Sequence, residues 1–499
     1  MKTHLLFPDR DPRTEDALDA PSEALVRDLG LDTLFETMSS GDPFLREVAS
    51  RTVLTPLTNI QDIRWRQAVL QDCLGHPQAI RSLHGLAIAG LESQRNVRGW
   101  LLSGRHPSSI LDYCIQKLRA LLDPLRALRQ FADDHAGHFG SAGLRNLLDG
   151  ISADLSDEYF VALREHLRRL SFPTGVVMTA ELGPGCQGTN VILRKPRSIK
   201  RTWRDWLGLS RPDALTYRLP ERDESGARAL SELRDRGVNL VANALAQSTD
   251  HILSFFALLR WETGFYVACL NLHDTLRRRG LSTALPEPAL ASTRRLRARG
   301  LYEVCLGLRI GTRVVGNDLQ AEGISLVMIT GANQGGKSTL LRSIGLAQLM
   351  MQGGMFVAAD SFHASIAAQL HTHFAREEDA TMHSGKLDEE LTRMSHIVDA
   401  ATAADLVLFN ESFASTNERE GSRIARQIID GLTEAGIRVI YVTHMYDLAN
   451  GLAQMGRADA LFLRPERLED GRRTFRVVPG GPTPTSHGAD LYEKVFGRP

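Results

Sequence analysis

The sequence predicts a mostly α-helical region carrying a small β insertion, followed by an α/β domain with a parallel sheet and flanking helices. Three observations predict this. Leu, Ala and Arg recur at helical spacing over residues 21–170, as in the stripe Leu111, Ile115, Leu118, Leu121 and Leu122. From Leu301 onward, strand-like and helix-like runs alternate, the pattern of a parallel sheet covered by helices. Within that alternation, an apolar run at 324–330 leads through a glycine-rich turn into a helix-like run at 340–351.

Taken in order, residues 1–20 read as a tail and 21–170 as a helical core. Residues 171–222 change character. Runs at 174–180 and 189–193 are strand-like, with Leu182, Gly183, Pro184 and Gly185 as turn chemistry between them, and 214–219 is a third strand-like run. Residues 223–300 read as returning helices, with a long proline-free amphipathic stretch at 227–258. Residues 301–499 form the α/β domain, which ends in a strand-like run at 474–478 and a Gly/Pro-rich turn.

A chain of 499 residues has room for about three domains. Lys plus Arg and Asp plus Glu each number 59, so no global basic excess announces nucleic acid, and such a surface has to be local. The five cysteines (Cys73, Cys114, Cys186, Cys269, Cys305) are scattered without zinc-ligand spacing, as expected of a reduced intracellular chain. The first residues lack the apolar core of a signal peptide, and no run of about 18 apolar residues announces a membrane span. The expectation is a cytoplasmic protein with no membrane partner.

The turn itself is chemically specific. Gly331, Ala332, Asn333, Gln334, Gly335, Gly336, Lys337, Ser338 and Thr339 read G-x-x-x-x-G-K-S-T between a strand and a helix. This is the phosphate loop of P-loop nucleoside triphosphatases. Its glycines let backbone N–H groups turn toward phosphate oxygens, and the helix N-terminus adds partial positive charge. Lys337 is placed to reach the β- and γ-phosphates, and Ser338 to hold Mg²⁺.

Three further elements complete a constellation. Residues 405–411 form an apolar strand ending in Asn410 and Glu411, the pattern of a Walker B strand. The acid that usually serves the Mg²⁺ shell is replaced by Asn410, an amide without charge, and Glu411 is placed to orient water. Residues 437–444 form a second buried strand that delivers His444 to the carboxyl edge of the sheet, where ligands of parallel sheets bind. Ser384 and Gly385 precede a helical pattern (Leu387, Leu391, Met394, Val398, Ala401). They read either as a plain helix cap or as an anion site completing a partner's nucleotide site.

This ordered set resembles the ATPase domain of the MutS mismatch-repair family. Residues 330–339 resemble that family's TGPNMGGKST, with Ala332 and Gln334 as departures. Asn317 and Asp318 match its N-D element, and Phe356, Val357, Ala358 and Ala359 resemble its FVPA. Asn410 and Glu411 through Glu420 and Gly421 match DE-x-G-R-G-T-S-T-x-D-G in length. Thr443, His444 and Met445 stand for its T-H-Y or T-H-F. Residues 54–69 resemble the start of the family's helical core, P-L-T-D-I-x-x-I-x-x-R-Q.

The resemblance implies an ABC/MutS-like P-loop ATPase domain behind lever helices. It implies ATP and Mg²⁺ as ligands, a homodimer formed through the ATPase domains, DNA as a partner, and possible repair-protein partners. Lys337, Glu411 and His444 would then be catalytic, Ser338 and Asn410 would serve the metal, and Ser384 and Gly385 would act in trans. The helical core starts so early that the family's amino-terminal mismatch-recognition domain is expected to be absent.

Several departures touch the chemistry. The aromatic residue often preceding N-D is aliphatic here (Val314, Val315), and Gly-Arg-Gly becomes Phe413, Ala414 and Ser415. The β insertion falls where a clamp-like insertion would lie. Its basic run includes Arg197, Lys200, Arg201 and Arg204, with Trp203 and Trp206 interleaved. Such residues suit DNA phosphates and exposed bases, or form a solvated loop with packed tryptophans. Two functions are therefore expected from the sequence. One is a DNA-binding ATPase of repair or recombination. The other is a nucleotide-gated scaffold or adaptor with weak hydrolysis that acts on a protein.

Overall fold

The computed structural model describes residues 1–14, 20–95, 106–173, 175–186, 188–195, 218–220, 222–310, 314–331, 335–376, 385–468 and 472–483. Of the expected site residues, Ala332, Asn333, Gln334, Ser384, Arg197, Lys200, Arg201 and Arg204 lie outside them, as does most of the strand expected at 214–219.

In chain order, the first eight helices are α1 (Ala20–Leu29), α2 (Leu31–Ser39), α3 (Pro43–Leu54), α4 (Ile60–Gly75), α5 (Pro77–Ser93), α6 (Pro107–Asp134), α7 (Ala142–Asp154) and α8 (Asp157–Leu170). Next come the hairpin β1 (Val177–Leu182) and β2 (Gly188–Arg194), and then α9 (Glu224–Arg278). The remainder alternates, beginning with β3 (Glu287–Ala289), β4 (Leu296–Leu301), α10 (Val304–Ile310), β5 (Asn317–Ala321), β6 (Leu326–Thr330) and α11 (Lys337–Gln352). It continues with β7 (Ser361–Ser365), β8 (Leu370–Phe374), α12 (Lys386–Ala400), β9 (Leu406–Asn410), α13 (Glu418–Glu434), β10 (Arg438–Thr443), α14 (Tyr446–Gln454), β11 (Ala460–Arg467) and β12 (Arg473–Pro479).

The helix starts follow local chemistry. Asp42 accepts from the Phe44 N–H at 2.8 Å with Pro43 in the first turn, and Asn59 accepts from Gln61 N–H at 2.8 Å. One 18-residue window of α9 reaches a mean hydropathy of 1.2, and 67% of that window is buried inside the fold. Burial to that extent is the pattern of a core helix.

The chain forms two compact units. One comprises Met1–Thr3, Ser82–His138 and Arg145–Arg260. Its interior holds most of the expected stripe, with Leu111, Ile115, Leu118 and Leu121 buried and Leu122 only partly so. Its hairpin pairs antiparallel with a register shift after Thr179 and rests Met178 against Gly237 of α9, where a Cβ would meet the sulfur at 2.2 Å.

The other unit comprises His4–Arg81, Phe139–Leu144 and Trp261–Pro499. Its six-stranded sheet has the order β12-β11-β6-β10-β9-β8 and is parallel except for the β11–β12 edge pair. Every residue of β6 and β10 is buried, as strands covered on both faces require. A second sheet has the order β3-β7-β4-β5.

That second sheet differs from the expected run of helices through residue 300. Glu287–Ala289 and Leu296–Leu301 are strands, and Leu296 and Ala298 alternate inward. A three-residue strand containing Pro288 carries too little periodicity to read from sequence. The unit bounds also cut across the expected domains, because residues 4–81 pack with the α/β elements.

Register levels the sheet's carboxyl edge. Thr443 pairs with Thr330, Val442 with Asn410, and Asn410 with Phe374. The residues just beyond these strand ends, Gly331, Glu411 and His444, therefore emerge side by side.

Candidate nucleotide site

The loop enters from β6 and leaves into α11. Gly331 has φ 125° and Gly336 φ 90°, conformations that only glycine adopts without strain. Gly336 is the N-cap of α11 and offers no side-chain acceptor to the first turn.

Lys337 is 4% exposed. Its Nζ donates to the Gly331 carbonyl at 2.6 Å and lies 3.7 Å from Glu411 Oε1. Burial lowers its pKa, and the Glu411 carboxylate opposes that shift.

Ser338 Oγ donates to Asn410 Oδ1 at 2.7 Å. Two hard oxygens thus converge at the foot of the loop, beside the Glu411 carboxylate. This donor set fits Mg²⁺ that takes most of its ligands from phosphate and water, as that ion prefers. It supplies one negative charge fewer than an aspartate at position 410 would.

Glu411 lies just past β9 and meets His444 past β10. Its Oε2 accepts from the His444 backbone N–H at 3.0 Å and contacts Nδ1 at 2.7 Å. That hydrogen bond, reinforced by charge, raises the His444 pKa against desolvation. The imidazole is half exposed, so its Nε2 is available to a ligand at the sheet edge.

The turn after Glu411 is unusual. Glu411 has φ 54° and Phe413 φ 61°. Each left-handed non-glycine residue costs roughly 1–2 kcal/mol, so surrounding contacts have to hold the turn. Glu411 N–H donates to Val442 O at 2.9 Å, and Tyr441 Oη donates to Ser412 O at 2.7 Å. Ser412 Oγ donates to His373 O at 2.6 Å. Phe413 N–H donates to Glu390 Oε2 at 2.8 Å. The Phe413 ring stacks on His373 at 5.2 Å and 20°. Gly421 closes the turn from below, where a Cβ would sit 2.2 Å from the Phe413 carbonyl oxygen.

The structure therefore gathers Gly331, Gly335, Gly336, Lys337, Ser338, Thr339, Asn410, Glu411 and His444 at one sheet edge. Gly385 is the N-cap of α12, with extended backbone and no side-chain cap. Asn317 begins β5 and accepts from Val477 N–H at 2.8 Å through its side chain, so this part of the N-D element also ties β5 to β12.

Glu390 and His373 were not singled out from the sequence. The signal for Glu390 was present. It lies three residues after Leu387 and four before Met394, on the apolar face of α12, where an unbonded acid would not be tolerated. His373 had none, because every residue of β8 is buried and no periodicity marks one of them.

Comparison with known proteins finds two family domains in the chain. Residues 58–279 match the MutS2 N-terminal domain family, and residues 327–496 match MutS domain V. The chain is 31% identical over 256 residues to mouse MutS protein homolog 4, covering 50% of this chain and 25% of that protein. It is 31% identical over 160 residues to the Thermus thermophilus endonuclease MutS2, covering 32% of this chain and 21% of that protein. It is 29% identical over 201 residues to the Prochlorococcus marinus DNA mismatch repair protein MutS, covering 40% and 22%. The chain thus spans about a fifth to a quarter of the length of these relatives. Two matched regions in the expected order, the second beginning within the phosphate loop's strand and including the loop, assign the chain to the MutS family.

Proposed function

We propose that the chain is a DNA-acting ATPase of the MutS type that binds Mg²⁺-ATP firmly and hydrolyses it slowly. The observation that carries this reading is the gathering at one sheet edge of the hydrogen-bonded pairs Ser338–Asn410 and Glu411–His444, with the Lys337 ammonium 3.7 Å from the Glu411 carboxylate. Lys337 and the loop N–H groups take the β- and γ-phosphates. Glu411 orients a water and accepts its developing proton, while His444, held by Glu411 and carrying its own proton, donates Nε2–H toward the departing phosphate. Ser338 and Asn410 would hold Mg²⁺ through oxygen, which when bound neutralises phosphate charge. The missing carboxylate at 410 weakens that hold and slows turnover.

Joining two copies through their ATPase domains would bring the α12 start at Gly385 toward a partner's nucleotide, and closure would move the helices of the amino-terminal half. DNA contact is assigned to the basic run with Arg197, Lys200, Arg201 and Arg204. Asn410 also favours a second reading, a nucleotide-gated adaptor for a protein partner.

The test is equilibrium nucleotide binding by wild type and Lys337→Ala, followed by titration with duplex, branched and single-stranded DNA at several salt concentrations. Loss of ATP binding in Lys337→Ala, with DNA affinity that falls as salt rises, supports the ATPase acting on DNA. ATP binding with no affinity for any DNA selects the adaptor. Unchanged nucleotide binding in Lys337→Ala removes both.

A further inference from the structure

Glu411 sits on a turn that its own sequence does not favour. Two of three consecutive positions, Glu411 and Phe413, adopt left-handed backbone without being glycine. Besides Tyr441, side chains that hold this turn include Glu390 on α12 and His373 on β8.

Glu390 is 1% exposed and accepts from Phe413 N–H at 2.8 Å and from Ser415 Oγ at 3.3 Å. Its Oε1 is buried without a hydrogen-bond partner among the described residues. Burial raises its pKa, and the bond from Phe413 works against that shift. His373 is fully buried. Its Nε2 lies 3.0 Å from the Glu390 carbonyl oxygen and its Nδ1 2.8 Å from Ser412 Oγ, while its ring covers Phe413. The α12 helix, β8 and the 411–415 turn are therefore one hydrogen-bonded block. The nucleotide-facing carboxylate stands at one end of it, and the helix that starts at Gly385 at the other.

We propose that Glu390, with His373, is a positioning residue that fixes the turn presenting Glu411 to Lys337 and His444, and so ties the catalytic carboxylate to α12. This rests on the hydrolysis reading above and adds to it a path by which movement of α12 changes turnover without changing the phosphate loop. Glu390 touches neither Lys337 nor Ser338, so nucleotide affinity and turnover separate when it is altered.

The experiment compares wild type, Glu390→Ala, Glu390→Gln and His373→Phe, each checked for folding by its melting curve. Nucleotide affinity and single-turnover hydrolysis are measured for each. The titration of the His444 ring, followed by NMR in nucleotide-free protein, reports independently on Glu411. The groups facing His444 are Glu411, Lys337 and Glu418, and Glu411 dominates.

Glu390→Ala is expected to keep nucleotide affinity within about twofold and to lose about tenfold in turnover. His444 should then titrate at a lower pH. Glu390→Gln should retain most of both, because its amide oxygen still accepts from Phe413 N–H. His373→Phe, which keeps the ring stack, should show a smaller loss of the same kind. Wild-type turnover and wild-type His444 titration in folded Glu390→Ala would overturn the proposal, and so would a Gln variant as impaired as the Ala variant. Absence of ATP binding by wild type would defeat the functional reading alone, since the His444 titration still decides the positioning role.

Discussion

Glu411 and His444 form the most informative pair at the scale of single residues. The hydrogen bond to Glu411 raises the His444 pKa, so the folded protein keeps this imidazole protonated to higher pH than the unfolded chain does. The associated stabilisation is complete below the ordinary histidine value of about 6.5 and is lost as pH rises through the raised folded value. Turnover should fall over the same rise in pH. Glu411→Gln should move the His444 midpoint down, which ring NMR checks directly.

His373 runs the other way. Burial pushes its pKa down to about 4, so it is neutral at pH 7. The unfolded chain binds this proton first, and stability should decline as pH falls from about 6.5 toward 4. His373→Phe should flatten that part of the melting-temperature profile.

The loop proposed to hold phosphate was legible in the sequence because G-x-x-x-x-G-K-S-T has few other uses. His444 was legible through its place at a strand end and its match to the T-H-Y or T-H-F pattern. The turn contacts of Glu390 and His373 were not legible, because they arise from tertiary packing between segments without a shared motif.

At the scale of elements, strand register places the site. The parallel pairs of β10 with β6 and with β9 set Thr443 level with Thr330 and Val442 level with Asn410, so the three segments carrying the candidate site residues end within one residue of each other. Alternating strand and helix patterns made β6, β9 and β10 readable. The second sheet was not readable, because β3 is three residues long and β4 reads as charged Arg and Gly as much as apolar.

The start of α13 closes the 411–415 turn. Gly421 leaves no room for a Cβ against the Phe413 carbonyl oxygen. Gly421→Ala should destabilise the protein by about 1–3 kcal/mol, the usual cost of overpacking. It should also lower turnover more than nucleotide affinity. Thermal melting and single-turnover assays check these two outcomes, and an unchanged melting temperature would show that the turn yields freely.

At the scale of the whole molecule, two compact units and two matched regions describe one chain, but their bounds do not coincide. Residues 4–81 pack with the α/β elements although the sequence from residue 21 reads as part of one helical region. Composition could not reveal this, since helical periodicity reports which face is buried and not which partner buries it. If ATP joins two copies through the α/β unit, sedimentation should show a shift from monomer to dimer with Mg²⁺-ATP. Lys337→Ala should abolish that shift. DNA affinity should fall with salt in proportion to the phosphates neutralised, and neutralising Arg197, Lys200 and Arg201 together should reduce the slope.

The central claim is a working ATP site whose metal side lacks one charge. Single-turnover hydrolysis across a Mg²⁺ titration, with wild type beside Asn410→Asp, tests it most directly. Slow hydrolysis by wild type is expected at high Mg²⁺. Faster hydrolysis and a lower Mg²⁺ midpoint are expected for Asn410→Asp, each by about tenfold, as one added carboxylate ligand provides. Equal rates and equal Mg²⁺ midpoints for the two proteins would contradict the claim.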